Sequence, residues 1–238
     1  MEHHSVISVF FGVEYTKMDI AQFIDHTLLK PDATEDDITK LCEEAKKYHF
    51  ASCCVNPYWV SLVSELLNGS GIKTCSVVGF PLGASHMMVK YSEAERCVED
   101  GAEEIDMVMN IGAFKSGNID FVKNETEEIV RKTGLLVKVI IETCLLSTNE
   151  KVEAAKVIME AGAHFVKTST GFSKYGATIE DVKLLKGVVG ERIGVKASGG
   201  IRTYQQAMDM IEAGATRIGT SAGVVIVTDV NKNTPGGS

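Results

Sequence analysis

The sequence predicts a closed (β/α)8 barrel, the TIM-barrel class of α/β fold, on three observations. Eight short runs rich in β-branched residues alternate with amphipathic segments, and strict alternation implies parallel strands joined by helices. The segments EDGAEEIDMV, EAGAHFVKTS and EAGATRIGTS repeat one design: a helix end, a turn at glycine, then a strand. Lys138, Lys167 and Lys196 recur 29 residues apart, each inside an apolar, strand-like run. An open doubly wound sheet is the alternative, but the sequence lacks the G-x-G-x-x-G turn that usually follows the first strand of such a sheet.

The expected strands are the segment ending at Ile24 to Thr27, then 51–55, 73–79, 104–109, 136–143, 165–170, 194–199 and 217–222. Between them lie helices whose exits are marked by Asn68-Gly69, Gly101, Gly162 and Gly214, as glycines that take up the left-handed turn after a helix. At the first helix Thr34 is expected to cap alone. Asp37 stands where a capping box carries glutamate or glutamine, and its shorter side chain reaches back less well. Counting five residues from each repeat glycine reaches Asp106, Lys167 and Gly219, on strands four, six and eight. Alternate barrel strands fill one interior layer, so these three residues are expected to face inward together near the catalytic end.

With 238 residues and 45% apolar content, the chain fits a single barrel domain over residues 1–227. That range includes a short N-terminal extension (1–20), and a polar tail over 228–238 is expected to be unstructured. The net charge of −8 argues against a nucleic-acid partner. Six cysteines without a C-x-x-C pair read as reduced thiols rather than a disulfide framework. No apolar stretch is long enough to span a bilayer, and the N-terminus lacks the basic start and cleavage site of a signal peptide. A cytoplasmic location without a membrane partner is the expectation.

A lysine in a barrel strand demands a reason, because one strand face meets the packed interior and the other meets helices. A buried ammonium is strongly disfavoured unless it is paired or loses its proton. Lys138 sits earlier in its strand than the other two and suits a structural ion pair. Lys167 and Lys196 suit amine chemistry: a neighbouring ammonium and partial desolvation favour a neutral amine able to attack a carbonyl. Asp106 beside them could carry protons between carbinolamine, imine and enamine. Together they predict a Schiff-base lyase. Two glycine-rich strand exits, ASGGIRT (197–203) and GTSAG (219–223), suit an anion, as barrels often hold phosphate after strands seven and eight. Of the basic residues only Arg202 lies near these loops, with a side chain expected to point away, so backbone N–H groups are expected to dominate. The histidines show no metal-ligand spacing, so no metal is expected. His164 is expected to cap a strand entrance.

The stretches IDHTLLKP, CVNP, GFPLGA, GAEEIDMVMNIGA, KVIIET, FVKTSTGF, GVKASGGIRT and GATRIGTSAG resemble the deoxyribose-phosphate aldolase family over roughly residues 23 to 227. The resemblance implies a class I aldolase without a cofactor, cleaving 2-deoxy-D-ribose 5-phosphate into D-glyceraldehyde 3-phosphate and acetaldehyde. It implies Lys167 as the Schiff-base lysine, Lys196 as the second lysine and Asp106 as the proton-relay carboxylate. It places Asp25, Thr27 and Thr170 on the sugar side, and Gly171, Gly199, Gly200, Gly219 and Ser221 around the phosphate. It also implies a homodimer. The chain departs from the family at Ala222, where a second hydroxyl is common, leaving only a backbone N–H there, and in the loops GFSKYGAT and SHMM. The competing expectations are another lysine-dependent phosphosugar aldolase, an isomerase, or a non-catalytic barrel that binds anions. The Lys167/Lys196 spacing argues against an isomerase, and the presence of both lysines argues against a non-catalytic barrel.

Overall fold

Each barrel strand of the computed structural model, which describes residues 9–10, 13–14 and 20–229, is followed by a helix that lies back across it. The strands are β1 (Ile24–Leu28), β2 (Ser52–Val55), β3 (Lys73–Val78), β4 (Glu104–Val108), β5 (Leu136–Ile140), β6 (Phe165–Lys167), β7 (Gly194–Ser198) and β8 (Arg217–Thr220). All pair in parallel in chain order, and β8 closes on β1 through Gly219 opposite Asp25. The barrel is therefore the expected one. Ahead of it, Val9–Phe10 and Val13–Glu14 form a short antiparallel ladder. Most of the expected N-terminal extension, and the tail from residue 230 onward, lie outside the described residues.

The helices are α1 (Glu35–Tyr48), α2 (Val60–Leu67), α3 (Met87–Glu99), α4 (Ile111–Lys115), α5 (Ile119–Thr133), α6 (Thr148–Glu160), α7 (Ile179–Val189), α8 (Tyr204–Glu212) and α9 (Gly223–Thr228). The last helix runs through Thr228, so the polar tail does not begin there. Gly69, Gly101, Gly162 and Gly214 all take positive φ just beyond helix ends, as expected. The lone-cap expectation at Thr34 is corrected. Asp37 does reach back, its Oδ2 accepting from Thr34 N at 2.9 Å while Thr34 Oγ1 accepts from Asp37 N, so the shorter side chain still closes a full capping box. His164 does cap a strand entrance: its Nδ1 accepts from Val137 N at 3.1 Å. The unusual SHMM segment begins α3, with His86 Nδ1 accepting from Met88 N.

The observed strands are shorter than expected at their C-terminal ends, most of all 136–143 and 165–170. There the backbone leaves ladder geometry but keeps bonding, with Ile141 N donating to Lys167 O and Thr143 N to Thr168 O. These irregular extensions build the mouth of the barrel.

Side chains alternate across a strand, and the two faces differ sharply here. Ile24, Ile105, Met107, Val137, Val139, Val166, Val195 and Ile218 turn outward and pack with the helices in one continuous apolar core. That outer shell carries the hydrophobic stabilisation. The inward face carries Asp25, Glu104, Asp106, Lys138, Lys167, Lys196 and Arg217, so the interior of this barrel is ionic. A second buried pair, Lys90 with Glu125 at 2.8 Å, joins α3 to α5, and Lys90 Nζ also donates to Val108 O at the exit of β4. It ties the end of the strand that carries Asp106 to two surrounding helices.

Candidate active site

Register explains how three distant lysines meet. Asp106 pairs with Lys138 across β4 and β5, and Lys167 with Lys196 across β6 and β7. Register partners on neighbouring parallel strands face the same side, so all four project inward. Asp106 Oδ2 accepts from Lys167 Nζ at 2.7 Å and from Lys196 Nζ at 2.6 Å, while Oδ1 accepts from Lys138 Nζ at 2.9 Å. Lys138 is held by Glu104 at 2.6 Å, and Lys196 by Asp25 at 2.5 Å. Arg217 closes the network beneath, with Nη2 at 2.6 Å from Asp25 and 2.7 Å from Glu104. Ser52 Oγ donates to Asp25 Oδ1 at 2.7 Å.

The balance of charges fixes the protonation of this network. Burial alone would push the Asp106 carboxyl up, but Lys138, Lys167 and Lys196 hold it well below the usual carboxylate range. Asp25 is likewise buried yet held down by Lys196, Lys138 and Arg217. Burial opposes the charge on Lys196, and the carboxylates of Asp106 and Asp25 outweigh it, keeping that ammonium above the ordinary lysine value. Lys138 is raised for the same reason, chiefly by Asp106 against burial. The expectation that Lys138 is an ion-pair residue agrees with this geometry.

Two cysteines also face this network. Cys75 Sγ lies 3.3 Å from Asp106 Oδ1 and Cys54 Sγ 3.9 Å from Oδ2. Thiol, thiol and carboxylate could in principle ligate a metal ion, a grouping that histidine spacing does not reveal. The Lys138 ammonium, 2.9 Å from Asp106 and 3.6 Å from Cys75, already supplies the positive charge there.

Of the three lysines, only Lys167 lines the cavity at the C-terminal mouth. With it stand Thr27, Thr170, Gly171, Gly199, Gly200, Gly219 and Ser221, so the structure brings together most of the sequence-predicted site. Asp106, Lys196 and Asp25 lie below the cavity floor, fully buried. The sequence-based placing of Asp25 beside the sugar therefore differs from its setting here, which is within the ion network. Gly219 faces Lys196: a Cβ on it would stand 3.0 Å from Lys196 Cε and 2.9 Å from Ser198 Cβ. It keeps the bore open for the lysine stem.

Two cations frame the glycine-rich end of the cavity, Lys30 after β1 and Arg202 after β7. Arg202 is among the residues that line the cavity, and Lys30 was missed altogether. Its signal was present in IDHTLLKP, where the lysine falls two residues beyond the end of β1. Three amides at the entrance to α8 are already spent. Thr203 Oγ1 accepts from Gln206 N, and Gln206 Oε1 accepts from both Arg202 N and Thr203 N. The Ala222 amide donates to Thr220 Oγ1 at 2.9 Å, so it is not free either.

A parallel barrel with two amino groups sharing one oxygen of a buried carboxylate, the outer amine opening into a polar mouth, defines an enzyme of amine–carbonyl chemistry. The chain belongs to the DeoC/LacD family of aldolases, whose family model matches residues 20–229. It is 59% identical over 218 residues to a deoxyribose-phosphate aldolase of Caldicellulosiruptor saccharolyticus, covering 90% of this chain and 99% of that protein. A Clostridium tetani protein of the same name is 59% identical over 214 residues, covering 89% and 99%. The solved tetrameric deoxyribose phosphate aldolase of Aeropyrum pernix superposes with a TM-score of 0.86 at 37% identity, covering 92% of this chain and 94% of that one.

The network makes a stability prediction whose sign follows from the depressed carboxyls. A group with a lowered folded pKa contributes stability above its unfolded value, about 3.9 for Asp, and loses it as pH falls toward the folded value. Asp106→Asn should cost about 3–5 kcal/mol near neutral pH, because three buried ammonium groups lose their shared anion. Urea unfolding of both proteins across pH should show that difference constant near neutrality and shrinking only below about pH 4. A difference that grows toward acid would contradict the assignment.

Proposed function

We propose that this protein is a deoxyribose-phosphate aldolase that cleaves 2-deoxy-D-ribose 5-phosphate reversibly through a Schiff base on Lys167. One observation carries the assignment of the nucleophile. Lys167 and Lys196 share a single oxygen of Asp106, and only Lys167 opens into the cavity. Lys167 gives up a proton, adds to the C1 carbonyl to form a carbinolamine, and loses water to leave an iminium. The C3 hydroxyl then loses its proton and the C2–C3 bond breaks, its electron pair passing into the enamine. D-Glyceraldehyde 3-phosphate leaves, the enamine carbon takes a proton, and water releases acetaldehyde from Lys167. Asp106 is the proton carrier next to the amine, and Lys196 the lasting positive charge that offsets anionic character there. Asp25 holds Lys196 in place from below. Family membership and the relatives' names support the substrate; the mouth residues support a polar, anionic one.

For the phosphate, Gly171, Gly199, Gly200, Gly219 and Ser221 offer a cradle of small residues, and Lys30 with Arg202 supply charge. Thr27 and Thr170 face the sugar. No cofactor is proposed. Small-molecule sugars and aldehydes are the partners, and a homodimer is the proposed assembly. The general preference of oligomers for twofold symmetry supports the dimer, although the Aeropyrum relative is described as tetrameric. Light scattering on the purified protein should give twice the chain mass, and a tetramer mass would replace the dimer.

Acetaldehyde with borohydride should leave an ethyl group on Lys167, read by peptide mass mapping. An adduct confined to Lys196 or Lys138 would overturn the assignment. Lys30→Gln should raise KM for the phosphorylated sugar about tenfold, as loss of one charge-assisted contact would, while 2-deoxyribose stays within about twofold. Equal losses on both sugars would mean that Lys30 supports the loop instead of reading the phosphate.

A further inference from the structure

Glu142 is a buried carboxylate in an awkward place. It follows β5 with φ 54 and ψ 68, one of two non-glycine residues at positive φ among those described. Left-handed backbone is unfavourable for a residue with a side chain, and burying a carboxylate adds a further cost. No lysine or arginine lies within ion-pair distance of it among the described residues; Lys167 acts on it only at longer range. Burial pushes its carboxyl up, against hydrogen bonds from Thr170 that favour the ionised form. Its partners are few and local. Thr170 Oγ1 donates to Oε2 at 2.5 Å, Thr170 N lies 3.3 Å from both oxygens, and the Cys144 thiol is 4.0 Å from Oε1.

The consequence falls on Thr170, which lines the cavity. A threonine hydroxyl has one hydrogen to give and two lone pairs to receive with. The hydrogen is committed to Glu142, and one lone pair is taken by Phe172 N at 3.0 Å. The capacity left to the cavity is a single acceptor site. We propose that Glu142 is a positioning residue that fixes Thr170 Oγ1 as a hydrogen-bond acceptor, so that the mouth selects an acceptor aldehyde carrying a hydroxyl next to its carbonyl. This rests on the proposed aldolase activity and deepens it: Glu142 touches no substrate and acts through Thr170. A site built to receive an O–H hydrogen rejects the analogue without one more strongly than an apolar pocket rejects a missing methylene.

Glu142→Gln tests the polarity directly. The amide oxygen can still accept from Thr170 N, but the amide NH2 then donates to Thr170 Oγ1 and turns the hydroxyl hydrogen toward the cavity. Acetaldehyde as donor is run against two acceptors, D-glyceraldehyde and 3-hydroxypropanal, which lacks the 2-hydroxyl. Exchange of the acetaldehyde methyl protons is followed separately, because that half-reaction involves no hydroxylated acceptor. The expected result is at least about a tenfold fall in the D-glyceraldehyde to 3-hydroxypropanal ratio of kcat/KM, with methyl exchange within about twofold of the parent. Thr170→Ser, which keeps the hydroxyl, should keep the ratio. Should the glutamine variant not fold, Glu142→Gly suits the left-handed backbone and removes the carboxylate, and the same ratio is read. An unchanged ratio, or an equal loss on both acceptors and on exchange, overturns the positioning role. A parent protein that neither exchanges acetaldehyde protons nor condenses the aldehydes overturns the aldolase reading itself, a distinct outcome.

Discussion

One carboxylate, Asp106, receives three ammonium groups inside the barrel, and the inward face of the sheet is arranged around that contact. Three cations around one anion would be untenable in a dry interior. Asp25 and Glu104 therefore enter as further anions, and Arg217 bridges those two from the N-terminal side. Three carboxylates and four cations make a network with one surplus positive charge. Of its seven members only Lys167, at the upper end, meets the cavity. Since replacing buried ion pairs by apolar groups is often neutral or stabilising, such a network is better explained by chemistry than by folding. The fold's stability comes from elsewhere, from the apolar shell between strands and helices.

That division of labour leaves the interior free to be polar. Barrel interiors are ordinarily filled by branched apolar side chains in layers. Here the outward faces of β4, β5, β6 and β7 provide Ile105, Val137, Val139, Val166 and Val195 to the helices. The same strands offer charged residues one position away, and a one-residue slip in register would exchange the two sets. The ion network and the hydrophobic shell therefore fix one register jointly, and neither could be moved without destroying the other. The buried Lys90–Glu125 pair repeats this logic outside the barrel, anchoring the exit of β4 through Val108 O.

Much of this was legible in the sequence because it depends on period. Strand–helix alternation gave the barrel, and the glycine-to-strand count led to Asp106, Lys167 and Gly219. Three-dimensional closure was less legible. Arg217 and Glu104 looked like ordinary strand residues, since nothing local says that Arg217 reaches Asp25, 192 residues away. Lys30 was hidden for a similar reason: it lies after the first strand, yet closure of β8 on β1 brings it beside the glycine loops. The strand ends were overextended because β-branched residues continue past the ladder in KVIIET and FVKTST. Their backbone turns away there so that Glu142 and Thr170 can meet. Thr34 failed in the opposite sense, where a short aspartate sufficed to close a cap.

Loop exits also redistribute what helix termini usually supply. A phosphate at a barrel mouth is commonly met by free amides at a helix start. At the entrance to α8 the Arg202, Thr203 and Gln206 amides are bound by the Thr203 and Gln206 side chains, and beyond β8 the Ala222 amide is bound to Thr220. What these exits present to the cavity is glycine backbone, at Gly199 and Gly200 with φ of 87° and 82°, together with Lys30 and Arg202. Gly176 is the residue that allows this. A Cβ there would lie 2.0 Å from Gly199 O, so the loop after β6 can press against the loop after β7 only with glycine at that position. Ala177 N then donates to Ser198 O and Gly199 O at 3.0 and 3.1 Å, locking the two loops together. The loop after β6 carries glycine at this contact. At its tip Phe172 meets Phe80 edge to face, with ring centroids 5.2 Å apart, while Tyr175 is exposed.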